Sequence, residues 1–217
     1  MITPRPTICS ILSALLICSC TLLGPDTPRR VVRVSVVADV SFRARNVNWA
    51  EEARGLVEAA SDYYEREFDI RLITQNVAAW PETERIPSTP NLLAKIQKQF
   101  GGQAQQQGYD LLIAFTAEGV SRILTAGRPR VDRIGDCNQG LARFVVVPIT
   151  KVFHYQGPNV EPEFDVIALI HELGHVFGAK HVNDRDSLMH EEFGYRTEFD
   201  AKNRAIVQRN RDCPFAK

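Results

Sequence analysis

Residues 171–181 read His-Glu-Leu-Gly-His-Val-Phe-Gly-Ala-Lys-His. The histidines and the glutamate in that stretch suit metal and proton chemistry. Positions four apart lie on one face of a helix, so His171 and His175 can aim two imidazoles at one point. Glu172 stands one residue on, close to such a metal but off the ligand pair. That placement suits a carboxylate that handles a water rather than the metal itself. Gly178 permits a left-handed helix end and a sharp return of the chain. The return brings His181 round as a third ligand. Three protein ligands leave a fourth position open, which is the pattern of a catalytic zinc rather than a structural one. The expectation is one catalytic zinc ion on His171, His175 and His181, with Glu172 as the proton-handling group.

The extended spacing His-Glu-x-x-His-x-x-Gly-x-x-His resembles the metzincin zinc endopeptidases. That family carries a Met-turn after the third histidine, and Ser187-Leu188-Met189 stands in the corresponding place. The resemblance implies that Met189 forms a hydrophobic floor under the ligands. It implies hydrolysis of peptide bonds in extended protein or peptide substrates, with Glu172 activating the attacking water. Two other readings stay open: a zinc amidase acting on cell-wall peptides, and a zinc-bearing binding module without turnover. A protein substrate panel with and without chelator separates them. The chain also departs from the family. Val182 follows the third histidine and is not diagnostic of a major subfamily. Glu191 occupies the position where some metzincins place a tyrosine ligand, so no tyrosine ligand is carried over. His154 and His190 read as surface or core histidines. Phe193 and Tyr195 are expected to wall the pocket beyond the scissile bond, with Glu191 and Glu192 as a solvated acidic turn.

The elements that must position these residues are legible as patterns. Strands are expected over 31–40, 70–77, 109–116 and 144–149 from their β-branched and apolar runs. Asn48 reads as a helix cap with Glu51 completing a capping box. Trp49, Ala53, Leu56, Val57, Ala60, Tyr64 and Phe68 then recur at steps of three and four, one apolar face of a long helix. Residues 80–90 look irregular, and 91–100 can form a short helix. Glu161-Pro162 opens the zinc helix, with Glu163 and Asp165 complementing its dipole. Phe164, Ile167, Ala168 and Ile170 would bury it on the sheet. A last helix is expected over 199–210, with Ala201, Ala205 and Ile206 facing inward. The resemblance places an edge strand at 130–137, whose free backbone groups hold an extended substrate by strand addition; an ordinary surface loop is the alternative. The expected fold class is α+β and metzincin-like. It comprises a mixed twisted sheet of about five strands, the zinc helix, a second sheet-packing helix and a C-terminal helix.

Residues 1–20 read as an export signal. Arg5 supplies a positive start, and the apolar run over 8–17 is too short to span a bilayer comfortably. The segment Ile17-Cys18-Ser19-Cys20 resembles a bacterial lipobox, which implies lipid on Cys20. The expected location is therefore the bacterial cell envelope with a membrane anchor, otherwise the periplasm or the medium. Residues 21–30, with Gly24, Pro25 and Pro28, read as a tether, and 31–217 as one peptidase domain with no room for a pro-segment before it. The 26 basic and 26 acidic residues balance, and no basic patch points to nucleic acid. Oligomeric state is not legible in this pattern. Of five cysteines, Cys9, Cys18 and Cys20 belong to the signal region. Export allows the remaining Cys137 and Cys213 to pair. Adamalysin-type metzincins have a comparable bond between those two regions, so the resemblance implies a Cys137–Cys213 disulfide.

Overall fold

The computed structural model describes residues 30–81, 88–102, 108–117, 130–192 and 194–216. The expected export signal, Cys20, most of the tether and Phe193 lie outside the described residues. The chain runs β1 (Arg30–Ala38), α1 (Val40–Arg43), α2 (Trp49–Phe68), β2 (Ile70–Ala79), α3 (Thr89–Phe100), β3 (Leu111–Thr116), β4 (Arg130–Val131), β5 (Phe144–Pro148), α4 (Phe164–Val176) and α5 (Ala201–Asn210). The sheet order is β2-β1-β3-β5-β4. Pairings of β1 with β2, β1 with β3 and β3 with β5 are parallel, and β4 alone runs antiparallel, to β5. This is the mixed five-stranded α+β architecture that the sequence implied.

Parallel strands covered on both faces are buried along their length, and every residue of β3 and β5 is buried. On one face the sheet carries α2 and α4. There Ala53, Leu56, Val57, Ala60, Tyr64 and Phe68 of α2 meet Leu169, Ile170, Leu173 and Val176 of α4 in one core. Burial of each large side chain of this kind contributes about 1.5–3 kcal/mol. The other face carries α3, whose Leu92, Leu93 and Ile96 pack with Trp80, Tyr109 and Phe144.

Several local expectations change. Val40 does not extend β1. Asp39 accepts a bond from the Phe42 amide at 2.8 Å and so caps the short α1, which sequence patterning did not reveal. Asn48 does cap α2, but its side chain makes no capping bond. Its own amide donates to Asn46 Oδ1 at 3.0 Å, which replaces the capping box. The inward carboxylate is Glu52 rather than Glu51, accepting from Asn46 Nδ2 at 2.8 Å and the Phe153 amide at 3.2 Å. The edge strand lies at the sheet edge beside β5, yet only Arg130 and Val131 are strand. The rest of 130–137 turns away because Asp132 and Asp136 take backbone amides onto their carboxylates. Asp132 accepts from Arg143 N and Phe144 N, and Asp136 from Asn138 N and Gln139 N.

The last helix starts two residues late, at Ala201, because Asp200 caps it by accepting from Asn203 N. Its inner face is not Ala201, Ala205 and Ile206: the two alanines are exposed and Ile206 is half-buried. Asn203, Val207 and Asn210 are buried instead. The two amides go inside because backbone groups from another segment await them, as described below.

Candidate metal centre

Helix α4 opens after Glu163, so Pro162 precedes the helix rather than occupying its first turn. Asp165 does more than complement the dipole. Its buried carboxylate accepts from Thr150 N at 2.8 Å, Thr150 Oγ1 at 2.9 Å and Lys151 N at 3.1 Å. This locks the start of α4 to the chain leaving β5. Downstream on the same helix, His171, Glu172 and His175 are 1%, 3% and 5% exposed.

Each helical histidine is oriented by a carbonyl. His171 Nδ1 lies 2.7 Å from Leu188 O, and His175 Nδ1 lies 2.7 Å from Ala179 O. A carbonyl only accepts, so both Nδ1 atoms carry the proton and both Nε2 atoms present bare lone pairs. Those lone pairs converge on His181, whose Nε2 is 3.2 Å from His171 Nε2 and 3.1 Å from His175 Nε2. One N–H on His181 can serve only one of them; a cation serves all three. At zinc–nitrogen distances of about 2.0–2.1 Å, tetrahedral ligands stand about 3.3–3.4 Å apart, so the donor set fits that ion. Among the described residues this trio is the one cluster able to hold a metal.

Burial sets the charge states of the polypeptide by itself. It lowers His171 to about 3 and His175 to about 4, against weaker opposing effects of the carbonyl partners. Both rings are thereby neutral and ready to ligate at physiological pH. Burial raises the Glu172 carboxyl to about 8, and the Arg130 charge on β4 opposes that only in part. Without a cation beside it Glu172 therefore keeps its proton at neutral pH, and a divalent cation held by the three histidines would favour the charged form that can accept one.

The turn after the helix is built on glycine. Gly178 has φ of +97°, and a Cβ there would lie 2.5 Å from Asn210 Nδ2 and 2.6 Å from Gly135 O. The return it allows places His181, which is exposed, opposite the buried pair. Met189 is fully buried. A Cβ on Gly174 would lie 2.8 Å from Met189 Sδ, so the thioether packs against α4 at Gly174.

A sequence model of metallo-peptidase family M12 matches residues 28–216. The chain belongs to this metallopeptidase family. No curated protein matches it. Among solved structures, 128 chains match. One of them is archaemetzincin from Methanopyrus kandleri, with a TM-score of 0.55 and 20% identity over 86% of this chain and 98% of that one. The likeness is one of fold, and it gives this M12 metallopeptidase a metzincin-type architecture. Family membership implies a resident metal.

Among the described residues, none of the other residues singled out in the M12 chain joins the three-histidine cluster. His154 is exposed, and His190 is half-buried with its Nδ1 accepting from Glu192 N at 3.0 Å. Glu191 and Glu192 are exposed, and Val182 forms an isolated bridge with His190. Tyr195 is exposed, with its ring 5.6 Å from that of Phe164 at the start of α4. Cys137 and Cys213 are joined by a disulfide with Cα atoms 5.1 Å apart. Beside it, Leu141 N donates to Pro214 O and Ala216 N to Leu141 O, and Gly135 N caps the His175 carbonyl at 2.9 Å.

Patterning missed the polar frame around the site. Ser187 Oγ donates to Asp200 Oδ2 at 2.8 Å and accepts from Met189 N at 3.0 Å. Asn210 Nδ2 donates to Phe177 O at 3.0 Å. The available signal was the spacing of Asn203, Val207 and Asn210, which share one helix face.

Proposed function

We propose that this M12 metallopeptidase is a zinc-dependent endopeptidase that cleaves peptide bonds in extended protein or peptide substrates. His171, His175 and His181 hold one zinc ion, and Glu172 is the general base and then the general acid. The observation that carries this reading is the convergence of three Nε2 atoms, two of them fixed as lone-pair donors by backbone carbonyls. Zinc bound there supplies Lewis acidity toward a water and the scissile carbonyl. Glu172 takes a proton from the attacking water as its oxygen bonds to the carbonyl carbon. It passes that proton to the amide nitrogen as the carbon–nitrogen bond breaks, which restores the carboxylate. Met189 supports the ligands from below, and Gly178 supplies the turn that brings in His181. The outward backbone of Arg130 and Val131 at the sheet edge suits an extended peptide added as a further strand.

Metal analysis beside peptide-cleavage rates tests this assignment. His175→Ala and His181→Ala should lose zinc together with activity. Glu172→Ala should retain about one zinc per chain yet lose about 10²–10⁴-fold in rate. Wild-type-like cleavage by Glu172→Ala overturns the mechanism, and unchanged zinc in His181→Ala overturns the ligand set.

Export and lipid attachment at Cys20, in a bacterial envelope, complete the reading; the support is the short apolar run ending in Ile17-Cys18-Ser19-Cys20. The wild-type protein should partition into the detergent phase of a phase-separation extract, and Cys20→Ser should not. Wild-type protein in the aqueous phase sinks the anchor and leaves plain secretion.

A further inference from the structure

His181 differs from the other two histidines of the centre. It is exposed and follows Gly178, so helix α4 does not dictate where it stands. Something else must hold its backbone, and the two peptide groups flanking it show what does. On the far side, Val182 N donates to Met189 O at 3.1 Å. On the near side, both polar groups of Lys180 are taken by one side chain. Lys180 N donates to Asn203 Oδ1 at 2.9 Å, and Asn203 Nδ2 donates to Lys180 O at 2.9 Å. The amide thus pairs with Lys180 as a neighbouring strand would. Its orientation is unambiguous, because a flipped amide would set donor against donor and acceptor against acceptor.

Asn203 is 1% exposed. Its Nδ2 also donates to Asp200 Oδ2 at 2.7 Å. The same carboxylate oxygen accepts from Ser187 Oγ, which in turn receives Met189 N. The first turn of α5 therefore grips the segment before the third histidine and the turn bearing Met189 through one shared carboxylate. An apolar residue at 203 could fill the space but would leave two backbone groups of Lys180 unpaired.

We infer that Asn203 is a positioning residue for the metal: it fixes the backbone from which His181 projects, and metal affinity depends on it beyond its share in stability. The inference rests on the zinc assignment above, and the two fail differently. Groups that orient ligands typically alter metal affinity by 10–100-fold when removed. The competing role is a plain fastening of α5 to the body of the protein. Val207 on the same helix is fully buried and makes no polar bond to the 180–190 segment, so Val207→Ala models loss of helix packing alone.

The experiment measures zinc dissociation constants by competition with a chromophoric chelator, and thermal melting of the zinc-free proteins, for the full chain. Asn203→Ala should bind zinc about 10–100-fold more weakly than wild type and release it faster. Val207→Ala should lower the zinc-free melting temperature while keeping zinc affinity within a factor of about three. If Asn203→Ala fails to fold, Asn203→Asp takes its place. It retains the acceptor for Lys180 N and loses the donor to Lys180 O, and the same weakening of zinc binding is expected. Zinc affinity in the Asn203 variants equal to that of Val207→Ala overturns the inference. Wild-type protein that binds no zinc overturns the earlier assignment instead.

Discussion

At Glu172 and its two histidine neighbours on α4, one cause acts in opposite directions. Burial lowers His171 and His175 from 6.5 to about 3 and about 4, and raises Glu172 from 4.5 to about 8. The consequences for the metal-free protein follow from proton linkage. Between 4.5 and 8 the folded Glu172 holds more proton than the unfolded one. Its contribution is present below 4.5 and is lost as pH rises through 8. The histidines behave in the other sense. Their contribution is present above 6.5 and is lost as pH falls toward 4 and then 3. Glutamine has no proton to lose, so Glu172→Gln removes the alkaline loss alone. In excess chelator, Glu172→Gln should melt above wild type at pH 8, and the gap should close as pH falls to about 4.5. Saturating zinc should shrink the gap at pH 8, since a divalent cation beside the carboxylate favours its charged form. Identical melting of the metal-free proteins at pH 8 would show that Glu172 carries no burial penalty.

At the scale of elements, the end of α4 and the start of α5 form one joint. Gly178 is its hinge. A side chain there meets φ of +97° and the Gly135 carbonyl at 2.6 Å. That carbonyl belongs to the residue whose amide caps His175 O, so it cannot move aside freely. Gly178→Ala should cost about 2–5 kcal/mol in chemical denaturation of the metal-free protein, from left-handed strain and a backbone clash together. It should also weaken zinc binding, and a variant with wild-type stability would show that the turn tolerates a Cβ. Gly178 was legible in the sequence because the spacing to His181 demands a sharp turn. The long apolar period from Trp49 to Phe68 was legible for the same kind of reason, since one helix face must meet the sheet. Gly174 was not legible, because the obstacle to its Cβ is Met189 and Phe199, distant in the chain. The inner face of α5 was misread because apolar residues were expected inside. Asn203 and Asn210 are inside because their partners are backbone groups of Lys180 and Phe177, which no local pattern can display. The capping box failed similarly: Asn46 supplied the oxygen that the Asn48 amide uses.

Across the whole molecule, the centre sits where three separate stretches are drawn together. The 135–142 loop lies between the end of α4 and the C-terminal segment, with Gly135 bonded to His175, Ala142 to Val176, and Leu141 to Pro214 and Ala216. The Cys137–Cys213 bond ties the first stretch to the third across a sequence separation of 76 residues. The sheet and its α2–α4 core are held together by a large apolar cluster in which Cys213 is one of many members. The disulfide therefore acts chiefly on the unfolded chain, which it keeps from opening a long loop. The chain-entropy account gives about 4 kcal/mol for a loop of this length. The Cys137→Ser/Cys213→Ser double variant should lose about 2–4 kcal/mol in denaturant midpoint analysis. It should also show a steeper denaturant dependence, because its unfolded state exposes more surface. Under native conditions it should still bind zinc, as the ligands stand on α4 and on the turn gripped by Asn203. Reduction of the wild-type protein should reproduce the same shift. Superimposable denaturation curves with and without reductant would show that the unfolded chain gains nothing from the link, and loss of zinc at full folding would show that it acts on the centre instead.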